Sequence, residues 1–229
     1  METWLNRWSQ VNGEPEKLLP SPKEENSTTF VSPEISSYSF DRVIVCDRSA
    51  IAQFLLANNF HFEHNCAILS ITGYPQSIFR TVLEMLKRNP KLTVYALHDA
   101  SPRGVGLVHH LRNTPQWFGD RDIEIYDIGL RPSQIFSGRD FFVRNSAESQ
   151  QQANQISVAV KQTLSPEEIK WLAKGNFVEL ESLTPRKLLQ ILAQTLTLSR
   201  TEWTGQAIDG TSDTTTTTEI AIFSSSSFG

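Results

Sequence analysis

The sequence has little cysteine, no long apolar run and no excess of positive charge. Its 229 residues include two cysteines, Cys46 and Cys66, which excludes a disulfide-dense secreted scaffold and a cysteine-based zinc site. No apolar stretch approaches the roughly 20 residues of a bilayer-spanning helix, and the polar start lacks a signal-peptide core. We therefore expect a cytoplasmic protein with reduced thiols and no membrane contact.

The charge balance gives no global sign of nucleic-acid binding. Lys and Arg together number 21 against 25 Asp and Glu, for a net charge of -4. Charge alone therefore favours neither DNA or RNA nor an anionic membrane as a partner, although a local basic groove is compatible with this balance.

The two ends differ in composition from the middle of the chain. Residues 1–12 carry Trp4 and Trp8 at helical spacing, which predicts a short amphipathic segment that either folds back on the protein or binds a protein partner. Residues 13–40 are rich in Pro, Ser and Glu and are predicted to form a linker. Residues 205–229 form a Thr/Ser-rich tail that is predicted to be disordered.

The middle of the chain alternates short apolar runs with helical patterns. Four runs rich in β-branched and aromatic residues are predicted to be strands, at 43–46, 66–71, 92–97 and 123–128. Each of the first three precedes an amphipathic helical pattern, at 49–58, 76–88 and 104–112. This alternation predicts an α/β fold of the Rossmann-like kind, with a mainly parallel four-stranded sheet covered by helices on both faces.

Charged side chains follow the predicted strands. Asp47 and Asp99 come soon after the first and third runs, with Arg48, Arg103 and Arg131 in the same turns or the turn after the fourth run. Because the carboxyl ends of parallel strands meet at one edge of a sheet, we expect these residues to converge. Carboxylates can hold Mg²⁺ and arginines can clamp phosphate oxygens. The alternative is that these residues cap helices, turn the chain and solvate the surface.

Three strings between residues 42 and 135 carry a resemblance to a known family: ILSITGYPQ, VYALHDASPRG and IYDIGLRPSQI. They resemble the Toprim domain found in the A subunit of topoisomerase VI and in its meiotic DNA-break relatives. That family has a strand ending in a glutamate, a TGYP-like turn, a strand ending in an Asp-x-Asp-Pro-x-Gly element and a later Gly-Leu segment. The resemblance implies a Toprim-like domain over residues 41–145 and a role that involves nucleic acid.

The metal-binding residues of the resembled family would fall on Asp47, Asp99 and Ser101. Asp47 stands where the family has glutamate, and Ser101 replaces an aspartate, so the implied site loses one formal negative charge. The implied cofactor is Mg²⁺, which we expect this degenerate set to bind weakly. The four tyrosines lie in predicted strands, in a turn and at the linker edge, so cleavage through a tyrosyl–DNA bond is not expected.

Residues 146–204 are predicted to be a helical extension packed on the core. Ser165 and Glu168 have the spacing of a capping box with a proline at the first helical position. A short strand is predicted at 177–180, and Thr184 with its following proline is predicted to open a second helix. Nothing in this extension indicates catalysis.

Three functions are compatible with the sequence. The leading hypothesis is a Toprim-like pseudoenzyme, a non-catalytic or regulatory component that acts on nucleic acid or within a protein complex. The first alternative is a Mg²⁺-dependent nuclease or phosphotransferase, in which Asp47, Asp99 and Ser101 hold the cation and Arg103 positions phosphate. The second is a purely structural adaptor that recruits partners through Trp4 and Trp8.

Overall fold

The structure is a computed structural model that describes residues 40–119, 123–137 and 141–206, together with Arg7, Gln10 and Val11. Trp4 and Trp8, the linker up to residue 39 and the tail beyond residue 206 lie outside the described residues. Partner binding through the amino-terminal segment therefore stays a prediction. Within the described part, no helix is both long enough and apolar enough to cross a membrane.

Four parallel strands form the central sheet, in the spatial order β2-β1-β3-β4. Their bounds are Arg42–Cys46 (β1), Ala67–Ser70 (β2), Thr93–Leu97 (β3) and Glu124–Asp127 (β4). Val43 of β1 pairs with Ala67 on one side and with Val94 on the other. Strands buried on both faces are continuous apolar runs in sequence, which explains why the sequence pattern identifies them. The predicted mainly parallel α/β sheet is confirmed.

Helices connect the strands and continue after the last of them. Their bounds are Ser49–Ala57 (α1), Phe60–Glu63 (α2), Phe79–Arg88 (α3), Leu107–Asn113 (α4), Pro132–Ser137 (α5), Ala147–Asn154 (α6), Val158–Lys161 (α7), Pro166–Ala173 (α8) and Pro185–Gln206 (α9). The predicted helix at 104–112 opens as a 3₁₀ turn over Gly104–Gly106 before α4 begins. The predicted helix at 76–88 begins later, at Phe79, because the preceding residues belong to a turn in which Phe79 N donates to Pro75 O.

The sheet separates two apolar layers, because successive side chains of a strand point to opposite faces. One layer combines strand residues with α1 and α9: Ile44, Cys46, Tyr95, Leu97, Ile51, Leu55, Leu188, Leu192 and Leu196. The other combines alternate strand residues with α3 and α4: Val43, Val45, Val94, Ala96, Val82, Leu86, Leu107 and Leu111. The carboxyl-terminal helix α9 thus shares a core with the sheet.

The segment between the sheet and α9 contains a small antiparallel pair, β5 (Arg144–Asn145) and β6 (Asn176–Phe177). The predicted strand at 177–180 is wrong in its bounds, since β6 ends at Phe177 and a 3₁₀ turn covers Leu180–Ser182. The physical reason is that the backbone N–H of Leu180 donates to a side chain rather than to a neighbouring strand.

The predicted capping box opens α8 and is confirmed. Ser165 Oγ accepts from Glu168 N at 3.2 Å, and Glu168 Oε2 accepts from Ser165 N at 2.8 Å. The other oxygen of Glu168 accepts from Ser133 N at 3.1 Å, which ties the start of α8 to α5. Gly175, with φ +83°, follows the helix in the left-handed conformation that glycine favours.

Candidate functional site

Two buried aspartates meet at the carboxyl edge of the sheet. Asp47 follows β1, and its N–H donates to Leu97 O at 3.0 Å, which extends the pairing of β1 with β3. Asp99 lies two residues beyond β3, and its N–H donates to Asp47 Oδ2 at 3.1 Å. The two residues are only 2% and 4% exposed. The structure therefore brings together the two carboxylates that the strand pattern predicts at one edge.

The guanidinium of Arg48 lies against this pair and faces carboxylates. Its Nε is 2.7 Å from Asp99 Oδ2, and its Nη2 donates to Asp99 Oδ1 at 3.1 Å. It also forms an ion pair with Glu181, and Nη1 is 3.7 Å from Glu179 Oε1. Arg144 Nη1 lies 2.6 Å from the other carboxylate oxygen of this residue, Glu179 Oε2. Arg48, which the sequence offers as a phosphate ligand, is thus engaged by carboxylates of its own chain.

Residues 178–181, here called the covering segment, run across this edge of the sheet. Ala100 and Val178 exchange two backbone hydrogen bonds of 3.0 Å, and Leu180 N donates to Asp99 Oδ1 at 2.8 Å. Val178 and Leu180 are fully buried. The covering segment therefore supplies both a backbone donor and, through Glu181, a carboxylate to the surroundings of Asp99.

His98 is a buried cation beside the two aspartates. Its Nδ1 lies 2.8 Å from the carbonyl oxygen of Asp99 and its Nε2 lies 2.9 Å from Asp127 Oδ1. Since both partners accept, both ring nitrogens donate and the imidazole is protonated. Burial by itself lowers the pKa of His98, but the carboxylate of Asp127 raises it to about 9. The ring is packed against Gly129, where a Cβ would lie 2.4 Å from it.

Burial raises the pKa of both aspartates. At Asp47 the effect of burial, which raises the pKa, is larger than the effect of the positive charge of His98, which lowers it. At Asp99 burial and the negative charge of Asp47 raise the pKa to about 7, although the ion pair with Arg48 lowers it. Two carboxylates in one buried place disfavour each other's ionised form. A nearby positive charge therefore favours the ionised form of both carboxylates.

Ser101 does not add a free oxygen to the two aspartates. Its Oγ accepts from Gly104 N at 3.0 Å and thereby closes the 3₁₀ turn that precedes α4. Gly104 is required there, because a Cβ would lie 2.1 Å from the carbonyl oxygen of Asp99. Ser101 thus has a structural role in the loop between β3 and α4.

The two other predicted phosphate ligands lie in different surroundings. Arg131 Nη2 donates to Thr163 O at 3.1 Å, and its Nε is 4.0 Å from Asp127 Oδ2, so this side chain is engaged. Arg103 is exposed, and its charge lowers the pKa of Asp47. Arg103 is therefore the predicted phosphate ligand that the fold presents to solvent at this edge.

The residues present do not fit the Mg²⁺ that the resemblance implies. Both oxygens of Asp99 are engaged by Arg48 and Leu180, Asp47 Oδ2 accepts from Asp99 N, and Ser101 Oγ is engaged by Gly104. Among the oxygens of these three side chains only Asp47 Oδ1 has no partner, whereas Mg²⁺ demands an octahedral set of oxygens. In the described part of the chain, no group of three or more His, Cys, Asp or Glu side chains is arranged to hold a metal.

The sequence analysis does not select Asp127, Glu179 or Glu181 as parts of the site. Asp127 is the last residue of β4, and the strand-end rule that selects Asp47 also applies to it. Glu179 and Glu181 carry no such signal, since the sequence does not reveal that a segment some 80 residues after Asp99 crosses the edge of the sheet.

Comparisons with known proteins show the family to which the chain belongs. The family model for the Toprim domain of topoisomerase 6 (its A subunit) and Spo11 matches residues 42–200, more than half of the chain. The meiotic recombination protein SPO11-4 of Oryza sativa subsp. japonica is 31% identical over 75 residues, which is 33% of this chain and 15% of that relative. The meiotic recombination protein spo-11 of Caenorhabditis elegans is 24% identical over 160 residues, 62% of this chain and 37% of that relative. The chain therefore spans well under half the length of either relative, and it belongs to the topoisomerase 6/Spo11 family of Toprim domains.

Proposed function

We propose that this chain is a Toprim pseudoenzyme that binds DNA without carrying out cation-dependent cleavage of its own. The observation that carries the proposal is the engagement of both oxygens of Asp99, by Arg48 on one side and by the N–H of Leu180 on the other. Cation-dependent phosphodiester chemistry needs carboxylate oxygens that are free to hold the ion. DNA as the ligand is supported by the names of the relatives, which refer to recombination and to a topoisomerase.

Arg103 is the phosphate ligand in this proposal. It is exposed at the edge of the sheet, whereas Arg48 and Arg131 are engaged by groups of the same chain. A guanidinium binds phosphate oxygens with two parallel hydrogen bonds, which suits a contact to the DNA backbone. The proposed compartment is the cytoplasm, and the two free cysteines, Cys46 and Cys66, suit a reducing compartment of this kind.

The test is DNA binding measured by fluorescence anisotropy in EDTA and in Mg²⁺. We expect the same affinity in both solutions, a fall in affinity between about 50 and 200 mM salt, and weaker binding by Arg103→Ala. Arg88→Ala is the matched control, since Arg88 is also exposed but ends α3 near Phe40, at the opposite edge of the sheet. RNA of the same sequence serves as a competitor that tests the choice of DNA.

Two results would overturn the proposal in different directions. Nicking of supercoiled DNA that requires Mg²⁺ or Mn²⁺ and disappears in Asp99→Asn would establish the nuclease alternative. Absence of any DNA binding would leave the structural adaptor as the better hypothesis, and deletion of residues 1–12 would then be the next experiment.

A further inference from the structure

Exposed apolar side chains are concentrated around α8. Among the described residues six large apolar side chains are exposed, and three of them lie between positions 136 and 143: Phe136, Phe142 and Val143. The ring of Phe136 packs on that of Trp171 in α8, with centroids 6.2 Å apart. Phe142 and Val143 directly precede β5, whose partner strand β6 packs against α8. These four residues, here called the aromatic patch, have the character of an interaction surface, whereas single exposed apolar residues are ordinary.

The amino-terminal segment carries an apolar stripe of the same aromatic character. Four apolar residues recur at the spacing of one helix face: Trp4, Leu5, Trp8 and Val11. The structure describes Arg7, Gln10 and Val11 as helical, and Val11 is 82% exposed. The pattern therefore predicts a helix with two indole rings on one face, and the structure leaves the apolar Val11 on it uncovered.

The chain between this segment and the domain has the length that such a contact requires. The domain begins at Phe40, at the amino end of β1, whereas Phe136 follows the carboxyl end of β4. A strand of this size spans about 17 Å and neighbouring strands lie about 4.8 Å apart, so the two points are separated by roughly 20–30 Å. A random-coil chain of the length of residues 13–39 has a root-mean-square span of about 30 Å.

A tether whose span matches the separation makes a weak contact sufficient. The effective concentration is then in the millimolar range, so a contact with a dissociation constant of about 1 mM is occupied in about half of the molecules. The apolar residues 220–223 are placed less favourably. Arg42 Nη1 donates to Leu196 O at the amino end of β1, and α9 continues from there to Gln206, about 15 Å further from the aromatic patch.

We propose that residues 1–12 fold back on the domain of the same molecule and dock their apolar stripe on the aromatic patch. The indole rings of Trp4 and Trp8 then cover Phe136 and Phe142, and the polar side of the helix, with Arg7, remains in solvent. This contact is separate from the proposed binding of DNA.

The experiment attaches a nitroxide spin label to Ser9→Cys in the full chain and records the indole N–H signals of the tryptophans by NMR. Cys46 and Cys66 are both 0% exposed, so the label reacts with the introduced thiol. Trp171 reports on the aromatic patch. Trp117, which is 5% exposed in the apolar layer of α3 and α4, is the matched control. We expect Trp171 to lose at least about half of its signal height relative to the sample with reduced nitroxide, and Trp117 to keep its height.

Two double variants of the segment test the stripe. Trp4→Ala combined with Trp8→Ala should restore the height of the Trp171 signal, because the aromatic side of the helix is removed. Arg7→Ala combined with Gln10→Ala is the matched control, since both residues are exposed in the same helix and belong to its polar side. This control should leave the loss of the Trp171 signal unchanged.

A pair of single variants tests the surface of the domain. Phe142→Ser should restore the Trp171 signal, whereas Phe62→Ser should not. Both phenylalanines are exposed, by 70% and 60%, and Phe62 lies in α2, outside the aromatic patch. Because neither side chain is part of the core, both variants retain the fold.

Two results would overturn the inference. Full height of the Trp171 signal in the labelled protein would show that another occupant, such as residues 220–223, covers the aromatic patch. A mixture of ¹⁵N-labelled protein without the nitroxide and unlabelled protein with it tests contacts between molecules. Loss of the Trp171 signal in that mixture would assign the contact to a second copy of the chain. Neither result affects the proposed function, because DNA binding by Arg103 is measured separately.

Discussion

At the scale of single residues, the buried ion pair of His98 and Asp127 links stability to pH. Burial lowers the pKa of His98, and the facing carboxylate raises it to about 9, above the ordinary value of 6.5. At Asp127 burial raises the pKa, and His98 lowers it to about 2, below the ordinary value of 3.8. A histidine with a raised pKa stabilises the fold fully below its unfolded pKa, and the contribution is lost as the pH rises through the folded value.

We therefore expect the free energy of unfolding of the wild-type protein to fall as the pH rises from 6.5 to 9, with a contribution from His98 of about 3 kcal/mol at most. His98→Gln should be less stable at pH 6.5 and should show a shallower slope over the same window, because glutamine does not titrate. Urea denaturation at several pH values measures both slopes. Parallel slopes in the two proteins would contradict a protonated His98 in the native state.

Residue identity also decides how much of the site can be predicted from sequence. Asp47 and Asp99 are predictable because each follows a run that is unmistakably a strand, and parallel strands bring their ends together. The pairing of Arg48 with Glu181 spans 133 residues and depends on the path of the chain after β6. The residues near Arg48 in the sequence contain no information on the path of the chain after β6. The sequence analysis therefore predicts that Arg48 binds phosphate, whereas in the structure it pairs with carboxylates.

At the scale of secondary-structure elements, Glu168 connects two helices. It closes the capping box of α8 and also accepts from Ser133 N in α5, while the residue itself is 4% exposed. Hydrogen bonds from Ser165 and Ser133 lower its pKa although burial raises it. The carboxylate thus fixes the position of α5 relative to α8 as well as the start of α8.

We expect Glu168→Ala to lower the free energy of unfolding by about 2 kcal/mol, because it leaves two backbone N–H groups without an acceptor. Glu167→Ala, at an exposed neighbouring position in the same first turn, should change it by less than about 0.5 kcal/mol. Chemical denaturation of both variants gives the comparison. A loss at Glu167 as large as that at Glu168 would mean that first-turn charge, rather than the two hydrogen bonds, stabilises α8.

Elements are predictable in proportion to their length and periodicity. The helices α1, α3, α8 and α9 each carry an apolar pattern of helical period, and the four strands are apolar runs of strand length. The helices Phe60–Glu63 and Val158–Lys161 contain four residues each, too few for a helical period to show. Their existence depends on tertiary packing rather than on intrinsic propensity.

At the scale of the whole molecule, α9 and the sheet form one packed unit. Leu192 of α9 is 1% exposed and belongs to the same apolar layer as Ile44 and Leu97 of the sheet. The family model likewise runs without interruption from residue 42 to residue 200. The predicted division at residues 145 and 146 marks a change in sequence pattern, and as a domain boundary it stays a prediction.

Leu192→Ala should therefore destabilise the whole described domain, by about 2–5 kcal/mol, within a single unfolding transition. Leu189→Ala, at a partly buried position of the same helix, should cost less. Differential scanning calorimetry distinguishes one transition from two. A separate low-temperature transition in Leu192→Ala would show that α9 unfolds independently of the sheet.

The covering segment also determines the order in which the molecule can be assembled. A ribosome produces the chain from its amino terminus, so all four strands, ending at Asp127, are synthesised before Leu180 and Glu181 exist. During that interval Asp99 lacks both the N–H of Leu180 and the carboxylate of Glu181. The contact between Leu180 and Asp99, 81 residues apart, can thus form only after the covering segment has been synthesised, and its formation carries the entropic cost of closing a long loop. This edge of the sheet can therefore reach its final set of contacts only after residue 181 has been synthesised.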